Sequence, residues 1–236
     1  MERFFESKPV IYLSKFIDMV VLNIIFVISC IPIITIGAAC TAMYYTCVKV
    51  IRRDRGKIWQ EYKHSFFDNL GTSLGVWIPM IAAEAVMGGL TYYLLIMGHG
   101  AGCAALIGLL MAGFLFVLAI MIYAFAVLSR FTVTAAGAVK NAVIMSVSHG
   151  GETVYLLVMT LAMATLIIMG WKFLPVILLV MPSAYSLLIS VIMEKILIRY
   201  TPKETEEDRQ EDPEDMLYTE EHKAKPWYLE EGDKDE

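Results

Sequence analysis

Long stretches of this chain lack charged residues. Only 18% of its 236 residues are Asp, Glu, Lys or Arg, whereas 58% are hydrophobic and the mean hydropathy is +0.62. A soluble domain contains about 25% charged residues. The apolar residues form five runs, each close to the roughly 20 residues that a helix needs to cross a bilayer. The composition therefore excludes an ordinary soluble domain and predicts an all-α, polytopic transmembrane helical bundle of about five spans.

The sequence also lacks catalytic and metal-binding motifs. It contains no HExxH, no GxSxG and no phosphate-binding glycine loop, since no Lys follows the GHGAG segment around His99. The four cysteines form no CxxC pair and have no His at metal-ligand spacing, which is typical of small buried residues. We therefore expect no enzyme activity, no cofactor and no metal. Nucleic acid is not an expected partner, because membrane orientation accounts for the basic segment.

Proline and glycine interrupt the first apolar run, which covers residues 16 to about 48 and contains NIIFVISCIPIITIGAACTAMYY. Residues 1–15 mix basic and aromatic side chains and are predicted to lie at the membrane interface. About 33 residues are too few for two full helices and a turn. The length therefore favours one span broken at Pro32–Gly37, and a re-entrant hairpin is the alternative. A cleaved signal is excluded because its apolar region would be shorter.

The distribution of basic residues predicts the topology. If the first run crosses once, ten Lys and Arg residues of the membrane domain lie on one side and four on the other. With a hairpin, the ratio becomes thirteen to one. Because basic loops face the cytoplasm, both alternatives make loop 49–73 and the C-terminal tail cytoplasmic, and they differ in the side of the N-terminus. Residues 16–200 form the predicted five-span membrane domain.

Two regions outside this framework have distinct compositions. The tail, residues 201–236, contains fifteen acidic and five basic residues, a net charge of −10, and is predicted to be disordered. In loop 49–73, aromatic and leucine residues recur at helical spacing and predict an amphipathic helix: Trp59, Tyr62, Phe66, Leu70 and Leu74. Such a helix would contact either anionic lipid headgroups or a partner protein.

Glu84 is the one charged residue in the second apolar run, Leu74 to Met97. At about 1.5 Å per residue it lies some 15 Å into the span. An ionisable group at that depth is costly, so it is a candidate site for transport of a proton or a small solute. A protonated carboxyl that bonds a neighbouring helix is the simpler interpretation. No other acid or base accompanies Glu84 in this span.

Two segments of the N-terminal third resemble the YesL-like family of bacterial membrane proteins, a domain of unknown function. The first contains an asparagine-bearing span followed by a Pro-x-x-Thr-x-Gly-Ala-Ala segment, which is represented here by Asn23, Pro32, Thr35, Gly37, Ala38 and Ala39. The second is an aromatic motif, represented here by Trp59, Phe66, Phe67 and Asn69. The resemblance covers roughly residues 5–75. The acidic tail departs from it.

The resemblance implies a role but no chemistry. Members of this family accompany carbohydrate ABC-transport systems in Gram-positive bacteria, so it implies a cell-membrane protein that assists sugar uptake by binding the permease or aiding its assembly. It supplies no catalytic residues. The alternative function is a small transporter or channel that uses Glu84. The sugar and the oligomeric state are left open.

Overall fold

The computed structural model describes residues 8–53, 55–98 and 100–200, and within them the regular structure is entirely helical. Eight α-helices follow one another along the chain: α1 (Lys8–Ser29), α2 (Ile36–Thr46), α3 (Ile58–Asp68), α4 (Leu70–Met97), α5 (Ala101–Leu128), α6 (Ala135–Ser148), α7 (Gly150–Met169) and α8 (Leu174–Tyr200). Short 3₁₀ turns precede α2 and α8, at Ile33–Thr35 and Trp171–Phe173, and a π-helix, Cys47–Arg52, continues α2.

Five helical segments in this part of the chain are long and apolar enough to cross a membrane: Ile33–Arg52, Leu70–Met97, Ala101–Leu128, Gly150–Met169 and Ile177–Tyr200. The predicted helical bundle with five candidate spans is therefore confirmed, and the chain is a multi-pass membrane protein. The predicted acidic tail, 201–236, lies outside the described residues, as do residues 1–7 of the predicted interfacial segment.

The predicted break in the first run is present, and it forms a hairpin. Helix α1 ends at Ser29, and the chain then folds back so that α1 and Ile33–Arg52 run antiparallel. Lys15 donates a hydrogen bond to the carbonyl of Ile51 (3.4 Å), and Thr35 donates one to the carbonyl of Ser29 (2.7 Å). The single kinked helix favoured by the length argument is therefore wrong.

The length argument failed because the helical segment is longer than the apolar run. Helix α1 begins at Lys8, inside the segment predicted to be interfacial, and the second arm continues to Arg52. The second arm contains 20 residues, or about 30 Å of helix, and is the first of the five candidate spans. Helix α1 contains 22 residues and packs against it. The turn between them occupies residues 30–32.

Two clusters of buried side chains hold the helices together. The larger one joins α4, α5, α6 and α8 to the second hairpin arm, with Tyr123, Val127 and Met193 fully buried. The smaller one lies between the two hairpin arms and α3, around Leu22 and Tyr62. Both clusters include residues that are distant in sequence, so the hairpin packs as an integral part of the bundle.

Close backbone packing fixes the second hairpin arm against α4. Gly37 is buried, and a Cβ at this position would lie 2.8 Å from Trp77 Cβ and 3.2 Å from the carbonyl oxygen of Ser73. The next two residues, Ala38 and Ala39, have no exposed surface. Small residues of this kind allow membrane helices to approach closely. Trp77 also donates a hydrogen bond from Nε1 to the carbonyl of Ile33 (2.9 Å).

Candidate functional site

Asn23 lies at the centre of the contact between α1 and α8. Its side chain is fully buried and makes three hydrogen bonds. Nδ2 donates to the carbonyl of Leu179 (2.7 Å) and to Ser183 Oγ (2.9 Å), and Oδ1 accepts from the backbone N–H of Ser183 (2.8 Å). In a regular helix, that N–H and that carbonyl would bond to each other.

Pro182 explains why α8 accepts this side chain. Proline within a helix has no N–H, and its ring clashes with the carbonyl four residues earlier, so the hydrogen-bond ladder opens. In a membrane the loosened backbone groups need other partners. The amide of Asn23 supplies both a donor and an acceptor at this position. We conclude that Asn23 attaches the hairpin to the proline-weakened turn of α8.

The other residues of the resemblance motif also serve the hairpin and its packing. Pro32 lies in the turn, and Thr35 Oγ1 bridges the carbonyls of Ser29 and Pro32. Asn69 donates from Nδ2 to the carbonyl of Ser65 at the junction of α3 and α4 (3.0 Å). These contacts stabilise the hairpin turn and the α3–α4 junction.

Only part of the predicted amphipathic face of α3 is buried in the bundle. Tyr62 is buried, and Phe66 is half-buried and stacks on it at a ring distance of 6.1 Å. Trp59, by contrast, is 62% exposed, as is Phe67 at 60%. Helix α3 inserts the face of Glu61, Tyr62 and Ser65 into the bundle and leaves Trp59 and Phe67 on the surface.

Glu84 lies within α4, and its side chain is only 8% exposed. Neither carboxylate oxygen has a hydrogen-bond partner among the described residues. The cavities described below do not include it in their walls. Its proposed role in transport stays a prediction.

A second membrane carboxylate, Glu194 in α8, has partners that the sequence did not reveal. Its side chain is 5% exposed. Oε2 lies 2.7 Å from Nη2 of Arg53, and Oε1 lies 3.0 Å from Nη1 of Arg130. Arg53 follows the hairpin and Arg130 follows α5. One carboxylate thus joins α8 to the ends of the hairpin and of α5. A buried charge of this kind is stable only when it is paired.

Further basic residues surround this junction. Nη1 of Arg52 donates to the carbonyl of Ser190 in α8 (3.0 Å). Lys49 forms an ion pair with Glu61 of α3 (2.9 Å) and donates to Tyr45 Oη (3.0 Å). The end of the bundle where the hairpin, α5 and α8 meet is therefore strongly cationic, and acidic side chains inside the fold hold several of its cations in place.

A polar cavity of about 250 Å³ opens at this junction. Its walls include four cationic side chains, from Lys49, Arg53, Arg55 and Arg130, together with the carboxylate of Glu194. A neighbouring cavity of about 460 Å³ shares Tyr45, Ser129 and Arg130 with it and is lined by several hydroxyl groups. Both cavities lie at the cationic end of the bundle. Glu194 could have been predicted as a candidate site from the sequence, because like Glu84 it is an acidic residue within an apolar run.

A third cavity, of about 310 Å³, lies among the candidate spans and is lined mainly by apolar side chains, including Met43, Trp77 and Phe125.

Within residues 8–53, 55–98 and 100–200, no three His, Cys, Asp or Glu side chains are grouped as a metal ion would require. The four cationic side chains in the walls of the cationic cavity suit it to binding an anion.

Comparison with known families agrees with the N-terminal resemblance at a coarse level. Residues 19–94 match the family described as Protein of unknown function, DUF624. The match covers the second half of α1, the second hairpin arm, α3 and most of α4, and ends before Arg130 and Glu194. No curated protein and no solved structure matches the chain. The protein is thus a membrane protein whose matched family has no assigned function.

Proposed function

We propose that this protein is an accessory subunit that binds another membrane protein, the permease of a carbohydrate uptake system, through helix α3. The observation that supports this most directly is the exposed pair Trp59 and Phe67 on a helix whose opposite face is fixed in the bundle. Lys63 lies between them at i, i+4 and i+8 spacing, so the three share one face. Large aromatic residues in rigid positions are typical anchors of protein interfaces.

The nature of the partner rests on the resemblance to the YesL-like family, whose members accompany sugar ABC-transport systems. The chain itself supplies the attachment surface and, in this proposal, no catalysis. Cofactors and metals have no part in it. The protein would stabilise or assemble the permease within the bacterial cell membrane.

Site-specific photo-crosslinking in living cells tests this interface. A photoreactive amino acid at Trp59 or at Phe67 should capture permease subunits, identified by mass spectrometry. Tyr92, which is 68% exposed in α4, provides a control position on a lipid-facing helix. Capture of lipid alone from α3, or capture of the same proteins from Tyr92, would contradict the proposal. Deletion of the gene should also impair growth on at least one oligosaccharide.

The orientation that accompanies this proposal has the cationic end in the cytoplasm. The hairpin supports the thirteen-to-one distribution of basic residues, with Lys172 alone on the opposite side. Both termini and loop 49–73 would then be cytoplasmic. A single cysteine at Lys172 should react with an impermeant maleimide in intact cells, and one at Lys63 should react only after lysis. The reverse pattern would reject this orientation.

A second candidate function is transport of protons or a small solute through Glu84, which is buried with no hydrogen-bond partner among the described residues. Reconstituted protein should then move protons or solute, and Glu84→Gln should abolish the flux. Glu152→Gln, at an exposed position in the first turn of α7, is the matched control. Equal flux in wild type and Glu84→Gln would exclude Glu84 as the carrier.

A further inference from the structure

Tyr44 links the cationic cavity to the apolar cavity. Its side chain contributes to the walls of both. It is 8% exposed, and its hydroxyl has no hydrogen-bond partner among the described residues. An unpaired buried hydroxyl costs free energy, and this one belongs to a wall residue of both cavities, where a polar group of a ligand could accept its hydrogen bond.

The two cavities differ sharply in chemistry. On one side of Tyr44 lies a space of about 250 Å³ whose walls contain four cationic side chains and one carboxylate, that of Glu194. On the other side lies a space of about 310 Å³ with Met43, Phe125 and Ile189 in its walls.

From this arrangement we infer that the protein binds a membrane amphiphile with a phosphate head and a hydrocarbon tail. The phosphate occupies the cationic cavity, where Arg53, Arg55 and Arg130 supply donors that match phosphate oxygens. The hydroxyl of Tyr44 donates to the same head, and the first part of the tail enters the apolar cavity. Basic cavities between membrane helices are known to bind phosphorylated lipid heads.

The composition of the site separates this ligand from two simpler ones. A free phosphate ion would use the cationic cavity and leave the apolar one unused. A neutral lipid would use the apolar cavity and leave the cationic cavity unused and the Tyr44 hydroxyl without a hydrogen-bond partner. Only a molecule with both parts matches both cavities. The inference concerns a different surface from helix α3, so it does not depend on partner binding.

Native mass spectrometry of the full chain in detergent tests the ligand class with three probes. These are dioleoylphosphatidic acid, dioleoylglycerol, which lacks the phosphate, and inorganic phosphate, which lacks the tail. We expect phosphatidic acid to bind at least tenfold more tightly than dioleoylglycerol, and millimolar phosphate to leave its binding unchanged. Equal binding of the two lipids would overturn the inference. So would displacement by inorganic phosphate at the concentration of the lipid, which would indicate a free-anion site.

Two matched pairs of variants assign the head to the cavity. Arg55→Gln removes a cation from the cavity wall and should weaken phosphatidic acid binding about fivefold. Lys63→Gln removes one from the exposed face of α3 and should not. Tyr44→Phe should weaken binding about tenfold, because a hydrogen bond to a charged group is lost. Tyr62→Phe removes another buried phenol with no hydrogen-bond partner among the described residues and should leave the affinity unchanged.

A third variant, Glu194→Gln, should increase the affinity for phosphatidic acid. An increase would not be expected if Glu194 served only to stabilise the fold. Glu194→Gln removes the negative charge that pairs with Arg53 and Arg130. If the cavity binds phosphate, the two arginines become available and phosphatidic acid should bind several-fold more tightly. Should this variant fail to fold, Arg55→Gln and Tyr44→Phe decide the question. Affinities in these two that equal those of their matched controls would refute the inference.

Discussion

Replacing Asn23 with Ala should destabilise the bundle more than any other single polar-to-Ala change in the hairpin. The substitution removes three hydrogen bonds of 2.7–2.9 Å at a site with no solvent exposure. Side-chain hydrogen bonds between membrane helices contribute about 0.6 kcal/mol each on average, and those in soluble proteins about 1 kcal/mol. Three of them give a loss of about 2–3 kcal/mol in the free energy of unfolding.

The size of this loss depends on α8. Without Asn23, the N–H of Ser183 can bond only to the carbonyl of Leu179, and Pro182 has opened the helix at that point. Asn23→Asp should cost more than Asn23→Ala. The carboxylate can still accept from Ser183, but its second oxygen faces the Leu179 carbonyl and has no hydrogen to donate.

Unfolding in mixed micelles of increasing sodium dodecyl sulfate, followed by circular dichroism, measures these differences. Asn69→Ala is the matched control, because Asn69 is half-buried and its amide bonds only to Ser65 within the α3–α4 junction. It should change stability by less than about 0.5 kcal/mol. An Asn23→Ala variant as stable as Asn69→Ala would refute the role assigned to Asn23.

Two further changes test backbone packing by the same assay. Gly37→Ala should cost about 1–3 kcal/mol, because its Cβ would lie 2.8 Å from Trp77 Cβ. Gly71→Ala, with nothing within 4 Å, should be neutral or slightly stabilising, and equal effects of the two changes would contradict the packing argument. Gly56→Ala should cost about 1–2 kcal/mol, because Gly56 has φ +80° and a Cβ there would collide with the carboxylate of Glu61. A stability equal to wild type would show that this loop adapts freely.

The long apolar helices could be predicted from sequence because their signal is local. The fourth apolar run of the sequence covers residues 153–170 and the fifth covers 173–198, and the ends of the observed helices α7 and α8 agree with them to within three residues. A run of about 20 apolar residues can satisfy its backbone in lipid only as a helix or a closed barrel. Tertiary contacts have little influence on this choice, so hydropathy alone finds the helices.

The hairpin was harder to predict because its length depends on charged residues at both ends. Lys8 and Lys15 lie within α1, and Arg52 ends the second arm, so apolar content understates the helical segment by about a dozen residues. Such side chains can extend towards water while their backbone remains helical. The count of basic residues favoured the hairpin, whereas the length of the apolar run favoured a kinked helix. The basic residues were the better guide here.

The junction around Glu194 could not be predicted because its members are distant in sequence. Arg53 lies 141 residues from Glu194, and Arg130 lies 64 residues from it. A single sequence shows one acid near the end of the last span, beside Lys195, and gives no reason to pair it with either arginine. The sequence did identify Glu84, a buried acid with no hydrogen-bond partner among the described residues, since an isolated charge in an apolar run is visible without any knowledge of packing.

These contacts bear on what the match to residues 19–94 describes. Two polar groups of this region bond outside it, the buried amide of Asn23 and the guanidinium of Arg53, and both have their partners in α8. A fragment that ended at Met97 would leave a buried amide and one end of a charged junction without partners, at a cost of several kcal/mol. The hairpin is therefore not an independent unit. Its stability depends on the last helix, and the cationic cavity forms only when the hairpin, α5 and α8 are assembled.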